Sequence, residues 1–142
     1  MTGKYKILLP LLLIFLLVGC GKTNDGLTIE GHDWTYANAI DSEGLKAMLE
    51  GCLAAMEDIT TARIGDKTMM DALIPATEAA LACPGSEEEI LRAAAQAAAE
   101  GAEASRNFVS KFGRARSYGE ATIGTPDAGA VSMSRFFAGL AE

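Results

Sequence analysis

Residues 86–104, SEEEILRAAAQAAAEGAEA, carry the sequence pattern that decides the fold of this chain. Ser86, followed three positions later by Glu89, has the spacing of an N-terminal capping box, and the neighbouring acidic residues suit the positive end of a helix. Apolar residues then recur at helical spacing as far as Phe112, which predicts one helix of about twenty-five residues. Thirteen alanines lie between residues 72 and 104. We therefore expect neighbouring helices to pack closely against this one.

A second helical pattern precedes this stretch. Asp41 or Ser42 can cap a helix whose opposite side carries Lys46 and Glu50. Its apolar side chains share one face at i, i+3, i+4 and i+7 spacing: Leu45, Met48, Leu49, Cys52, Leu53 and Met56. This pattern predicts one amphipathic helix.

Two further helices complete the predicted helical part. One is predicted to begin at the break and cap Gly65–Asp66, to bend at Pro75 and to end before Pro84. Residues 113–129 hold four glycines and a proline and are predicted to form a long loop before a last helix that begins at Ala130. The sequence thus predicts an all-α fold, either a partial helical barrel or an antiparallel bundle.

Residues 1–20 have the layout of a targeting segment. Lys4 and Lys6 precede an apolar run that ends at Val18. This run is shorter than the about twenty residues that a transmembrane helix needs. Residues 17–20, Leu-Val-Gly-Cys, resemble the lipobox of bacterial lipoproteins, which implies lipidation at Cys20 and a membrane-anchored protein. The alternative is an apolar core helix of a cytoplasmic protein.

Residues 21–41 begin with turn-forming residues and show only short alternation of apolar and polar side chains. This composition predicts a linker with at most one short strand. The chain is therefore divided into an apolar N-terminal segment (1–20), this linker (21–41) and a helical domain (42–142).

Charge and cysteine content exclude two classes of function. The net charge is −7 and the isoelectric point is about 4.7, which argues against a nucleic-acid partner. Three cysteines and one histidine are too few soft ligands for a structural zinc site. We expect Cys52 and Cys83 to be two buried or half-buried thiols. A disulfide is the alternative only in an exported chain that brings their Cα atoms within about 7 Å.

Three stretches of the helical part resemble the nucleotide-binding L subunit of dihydroxyacetone kinases, which also occurs as a C-terminal domain in single-chain enzymes. They are GDKTMMDALIPA (65–76), KFGRARSYGE (111–120) and IGTPDAGA (123–130). The resemblance covers residues 44–142, about the C-terminal half of the family's domain. It implies an all-helical barrel that carries a nucleotide at one end.

This resemblance also implies a binding site for ADP or ATP. Thr68 and Met69 would lie near the nucleotide, Arg114 would reach its phosphates, and the stretch Asp127-Ala128-Gly129 would belong to a lid. The chemistry is suitable, because a guanidinium group offers several donors to phosphate oxygens and glycine permits close backbone approach. The family usually has proline where this chain has Ala128. Taken singly, the same residues could be a core methionine, a solvated loop arginine and a helix start.

The family's magnesium-binding aspartates lie in its N-terminal half, in an Asp-Gly-Asp-His-Gly context that this sequence lacks. The acidic residues upstream of Glu43 do not have that spacing: Asp25, Glu30, Asp33 and Asp41. Because phosphoryl transfer depends on metal to neutralise phosphate charge, we expect no metal site, no catalytic residue and no kinase activity from this chain alone.

These observations lead to expectations about partners. A dihydroxyacetone-binding kinase subunit, or a chain that supplies the missing half, would complete the enzyme. Half a barrel leaves an apolar face uncovered, which predicts self-association. The alternative function is that of a lipid-anchored helical binding or structural protein without catalysis, and cytoplasmic location is the alternative to membrane anchoring.

Overall fold

The computed structural model describes residues 27–29, 32–34 and 40–142 of the chain. The lipobox and Cys20 lie outside these residues. The chain divides into two units, 1–40 and 41–142, and each is described by itself.

The first unit contains a small antiparallel hairpin. Strand β1 (Leu27–Ile29) pairs with strand β2 (His32–Trp34), with Thr28 opposite Asp33. The expectation of at most one short strand between residues 21 and 41 is therefore wrong. A single strand would leave its backbone N–H and C=O groups without partners, and the hairpin pairs them.

The second unit is helical, which confirms the predicted all-α class. Its elements are α1 (Ser42–Ile59), α2 (Met70–Ala82), α3 (Glu87–Ala104), two 3₁₀ segments (Ser105–Asn107 and Arg114–Thr122) and α4 (Ala128–Leu140). Helix α2 packs against α1, α3 and α4, and α3 packs extensively against α4. Within the described residues, no helix combines the length and the apolar character that crossing a membrane requires.

Both predicted caps of the longer helices are present. The Asp41 carboxylate accepts a 2.8 Å hydrogen bond from the Gly44 amide at the start of α1. At the start of α3, the Ser86 hydroxyl and the Glu89 carboxylate form the reciprocal bonds of a capping box. These bonds satisfy amide groups that have no partner inside the helix.

Alanine and glycine allow α2 and α3 to approach closely. The two helices contribute these buried alanines to the core: Ala72, Ala76, Ala80, Ala94, Ala98 and Ala102. A Cβ atom at Gly101 would lie 3.0 Å from Cγ of Pro75 and closer still to the carbonyl oxygen of Asp71. Pro75 has no N–H group to donate to that carbonyl, so the small Gly101 covers a carbonyl that the helix leaves without a backbone partner.

Helix α3 is shorter than predicted. It ends at Ala104, the chain continues as the 3₁₀ turn Ser105–Asn107, and Phe108 and Phe112 follow outside the helix. The apolar spacing alone would have continued the helix. Ser105 is instead held by polar contacts to distant parts of the chain, which end the helical ladder there.

The predicted loop 113–129 contains regular structure. Arg114–Thr122 is a 3₁₀ segment interrupted at Gly119, which has φ +52°, and α4 begins two residues earlier than predicted, with Asp127 as its N-cap. Cys52 and Cys83 are half-buried thiols without a disulfide, and burial raises the pKa of the Cys52 thiol.

Candidate functional site

The loop that precedes α2 is organised by one buried carboxylate. Asp71, 1% exposed, accepts 2.6 Å hydrogen bonds from the amides of Gly65 and Thr68. The Thr68 hydroxyl accepts a 3.2 Å bond from the Met70 amide. Asp71 therefore folds residues 65–68 over the helix start, and α2 begins at Met70.

Asp66 does not cap α2, so the predicted cap at Gly65–Asp66 is wrong. Its carboxylate accepts a 2.6 Å bond from Lys111 Nζ and a 2.8 Å bond from the Arg63 amide. The bond from Lys111 contributes most, followed by the bond from Arg63, and both hold the pKa of Asp66 below its usual value. The Lys111 amide also donates to the Asp66 carbonyl oxygen, at 3.1 Å. Asp66 thus fastens its loop to the segment that carries Arg114.

Lys67 is buried, although its charge would ordinarily keep it in water. Only 5% of the residue is exposed. Its Nζ atom donates hydrogen bonds of 2.8 Å to the Ser105 carbonyl and 2.5 Å to the Thr125 carbonyl. The loop before α2 is thereby joined to the end of α3 and to the segment before α4.

Ser105 is the residue at which these segments meet. It is fully buried; its hydroxyl donates to the Ala102 carbonyl at 2.6 Å and accepts a 2.8 Å bond from the Asp127 amide. Next to it, Arg106 and Gly124 are joined by two further bonds, through the Arg106 guanidinium group and through the backbone. The arrangement fixes residues 124–127 against the end of α3.

The predicted site residues of α4 lie against the loop before α2. The Asp127 carboxylate accepts a 2.8 Å bond from the Ala130 amide, and Ala128 is exposed in the first turn of the helix. A Cβ atom at Gly129 would lie 3.3 Å from the Cβ atom of Met69. The structure therefore brings Thr68 and Met69 together with residues 127–129.

Arg114 lies apart from this contact. It is exposed at the start of the second 3₁₀ segment, after Gly113 with φ +62°. Among the described residues, no hydrogen bond or ion pair engages its side chain. The guanidinium group is therefore available to an anion from solution.

The described residues do not fit a magnesium ion. Nowhere in 40–142 do three or more His, Cys, Asp or Glu side chains gather in a way that could hold a metal. Asp71 and Asp127 use their carboxylate oxygens on backbone amides, and Asp66 is engaged by Lys111. The described residues therefore assign no ligand to a magnesium ion.

Three residues that organise the site were not singled out by the sequence: Lys67, Asp71 and Ser105. Thr68 and Asp71 do have the spacing of a capping box, with aspartate in place of the usual Glu or Gln, which was a usable signal. For Lys67 and Ser105 the sequence offers no local signal, since their partners are far away along the chain.

These observations define an all-α domain whose sequence motifs gather where α2 and α4 begin and α3 ends. The model of the DAK2 domain family matches residues 26–142, and the chain belongs to that family. The match confirms the resemblance to dihydroxyacetone kinases at the level of the family. It includes the hairpin as well as the helical unit.

Several kinases are similar to this chain in sequence. The D-erythrulose kinase of Mycolicibacterium smegmatis is 40% identical over 97 residues, which cover 66% of this chain and 17% of that enzyme. The dihydroxyacetone kinase of Pichia angusta is 38% identical over 105 residues, 69% of this chain and 17% of that enzyme. The L-erythrulose 1-kinase of M. smegmatis is 31% identical over 117 residues, 82% and 20% respectively. The chain thus spans about a fifth of the length of these curated relatives.

Proposed function

We propose that the helical unit is the nucleotide-binding part of a kinase that phosphorylates dihydroxyacetone or a related short ketose such as erythrulose. The observation that carries the proposal is the close approach of Met69 and Gly129, where a Cβ atom at Gly129 would lie 3.3 Å from that of Met69. It brings two of the three motifs together. The proposed ADP- or ATP-binding residues are Thr68, Met69, Arg114, Asp127, Ala128 and Gly129.

The chemistry of these positions suits a nucleotide. Because Gly129 has no side chain, the start of α4 can lie close to Met69. The methionine at 69 offers a polarisable apolar surface to a base. Arg114 has unengaged donors for phosphate oxygens. Residues 127–129 form the first turn of α4, so a lid built from them would move with that helix start.

We further propose that this chain corresponds to the C-terminal half of the family's domain and does not transfer phosphate alone. Metal ions supply much of the charge neutralisation in phosphoryl transfer, and the described residues offer no set of ligands for one. A second chain, either one that provides the acidic ligands or a dihydroxyacetone-binding subunit, would complete the site. Self-association is an alternative way to cover the apolar face that half a barrel would leave open.

Calorimetric titration of ADP, with and without magnesium, tests the proposal. We expect weak binding, with a Kd of about 1 mM, because the net charge of −7 repels a polyanion. Binding should not depend on magnesium, because the described residues offer no set of metal ligands. Arg114→Ala should weaken binding further, whereas Arg135→Ala, an exposed arginine on α4, should not. No detectable binding, or equal effects of the two substitutions, would contradict the proposed site. Micromolar affinity that requires magnesium would contradict the proposed absence of a metal site.

A second candidate function concerns residues 1–20. The stretch Leu-Val-Gly-Cys that ends at Cys20 favours a lipid-anchored protein, in which the helical unit binds a partner without catalysis. Mass spectrometry of the full chain expressed in a bacterium should then show a lipid on Cys20, and Cys20→Ser should abolish it. An unmodified chain that stays in the cytoplasmic fraction would favour the kinase proposal instead.

A further inference from the structure

We propose that Lys67 is a positioning residue of the nucleotide site: its buried ammonium group holds the segment Thr125–Gly129 in the place where it meets Met69. This inference rests on the proposed nucleotide function for its effect on binding. That Lys67 holds this segment in place is argued only from its contacts in the protein without a nucleotide.

The burial of Lys67 requires an explanation. Taking a lysine out of water is costly unless the charge is paired or fully hydrogen-bonded. Among the described residues, no carboxylate lies within ion-pair distance of its Nζ atom. Two backbone carbonyls, those of Ser105 and Thr125, receive its hydrogen bonds instead. The ammonium group therefore holds two chain segments together and does not neutralise an opposite charge.

The backbone of Lys67 gives a second, independent indication. Its φ is +58°, and no other non-glycine residue among those described has a positive φ. Glycine or asparagine adopts this region at lower cost. Glycine has no side chain and asparagine is too short to reach the carbonyls of Ser105 and Thr125. The chain therefore keeps a lysine here, although its backbone conformation is unfavourable, because the long side chain places a donor group at both carbonyls.

The contacts of Ser105 and Thr125 carry the effect to the predicted site. The Asp127 amide binds the Ser105 hydroxyl at 2.8 Å, and the Gly124 amide binds the Arg106 carbonyl at 2.8 Å. Lys67 therefore closes a ring of bonds that includes the loop of Thr68 and Met69 and the start of α4. Without its ammonium group, the two predicted nucleotide-contacting stretches lose the polar link that runs between them through Lys67, Ser105 and Thr125.

Hydrogen exchange of the free protein tests the fastening. In Lys67→Asn, whose side chain suits a positive φ but is too short to reach, we expect the amides of Gly124 and Asp127 to exchange about tenfold faster or more. Amides within α1, such as that of Leu49, should be unaffected. Lys67→Arg retains several donors and should restore much of the protection. Unchanged exchange of both loop amides in folded Lys67→Asn would overturn the inference.

Binding of ADP tests the positioning role. Lys67→Asn should weaken ADP about tenfold at a temperature where circular dichroism shows it folded, and Lys46→Met on α1 serves as the control. If Lys67→Asn does not fold, Lys67→Met, which keeps the side-chain length, takes its place. Faster exchange with unchanged ADP affinity would overturn the positioning role. Faster exchange in a protein whose wild type binds no ADP would support the fastening and refute the proposed nucleotide function.

Discussion

The packed helices α2, α3 and α4 differ from the connecting segment, residues 105–127, in what holds them in place. The helices meet through small and apolar side chains, among them Ala76, Ala98 and Phe137, all fully buried. The connecting segment buries few large apolar groups and is held by hydrogen bonds from polar side chains such as Lys67 and Ser105 to backbone atoms. Packing is sensitive to volume, whereas hydrogen bonding is sensitive to the presence of a partner.

The same difference separates global from local stability. Apolar contacts of α2–α4 contribute to the cooperative unfolding of the whole unit. We expect the bonds of the connecting segment to open without unfolding of the helices. The following substitutions test this division.

The largest effect is expected for Phe137→Ala. Phe137 is fully buried on α4 and stacks edge-on against Phe136 at 5.5 Å between ring centroids. Its removal should lower the free energy of unfolding by about 3–5 kcal/mol, from lost burial and the cavity that remains. Urea denaturation measures this change. Leu140→Ala on the same helix is the control: Leu140 is 40% exposed, and its loss should cost about 1 kcal/mol or less.

A second test compares two helical glycines, Gly101 in the last turn of α3 and Gly51 in α1. Gly101→Ala places a methyl group against the Asp71 carbonyl and should cost about 1–3 kcal/mol through overpacking. At Gly51 in α1, nothing beyond the helix's own backbone lies within 4 Å of the added Cβ atom, so Gly51→Ala should stabilise the protein by about 1 kcal/mol through helix propensity. Stabilisation by both substitutions would show that the α2–α3 contact is not limited by volume.

A third test addresses the connecting segment. Ser105→Ala leaves the partly buried Asp127 amide without its acceptor and should cost about 1–2 kcal/mol. Ser132→Ala on α4 removes a hydroxyl that bonds only within its own helix, to the Ala128 carbonyl, and should change stability by no more than about 0.5 kcal/mol. Hydrogen exchange should show faster opening of residues 124–127 in Ser105→Ala. Uniform weakening of all helices instead would contradict the proposed division.

The smallest effect is expected for the ion pair of Asp66 with Lys111. The folded protein holds the pKa of Asp66 below its usual value of 3.8, so this pair stabilises the protein above that pH and the stabilisation disappears as the pH falls through the lowered pKa. Asp66→Asn should cost about 1 kcal/mol or less at pH 7. Urea titrations between pH 3 and pH 7 should show the two proteins converging at the acid end, and a constant difference would contradict this assignment.

The features predicted correctly from sequence are those set by neighbouring residues. The amphipathic spacing of α1 and the capping box of Ser86 and Glu89 depend on residues three or four positions apart. The grouping of Thr68, Met69 and Gly129 in one nucleotide site stays a prediction from the family resemblance. The structure shows that a Cβ atom at Gly129 would lie 3.3 Å from the Cβ atom of Met69.

The features that the sequence did not predict depend on contacts between distant residues. Helix α3 ends at Ala104 although no glycine or proline follows, because Ser105 binds Lys67 and Asp127. The sequence predicts too early a start for α2 because Gly65–Asp66 resembles a helix break and cap. The residue that receives the loop amides, Asp71, lies inside the helix itself.

The second 3₁₀ segment is closed at its base. The Ser110 amide binds the Thr122 hydroxyl at 3.1 Å, and that hydroxyl donates to the Gly119 carbonyl at 2.7 Å. Because the two ends are fastened to each other, the residues between them form a self-contained surface loop. This loop should tolerate an inserted peptide or a cleaved bond while the helices stay assembled. A fluorophore attached at Tyr118→Cys would then sit a few residues from Arg114, where it could report the arrival of a phosphate group without disturbing the core.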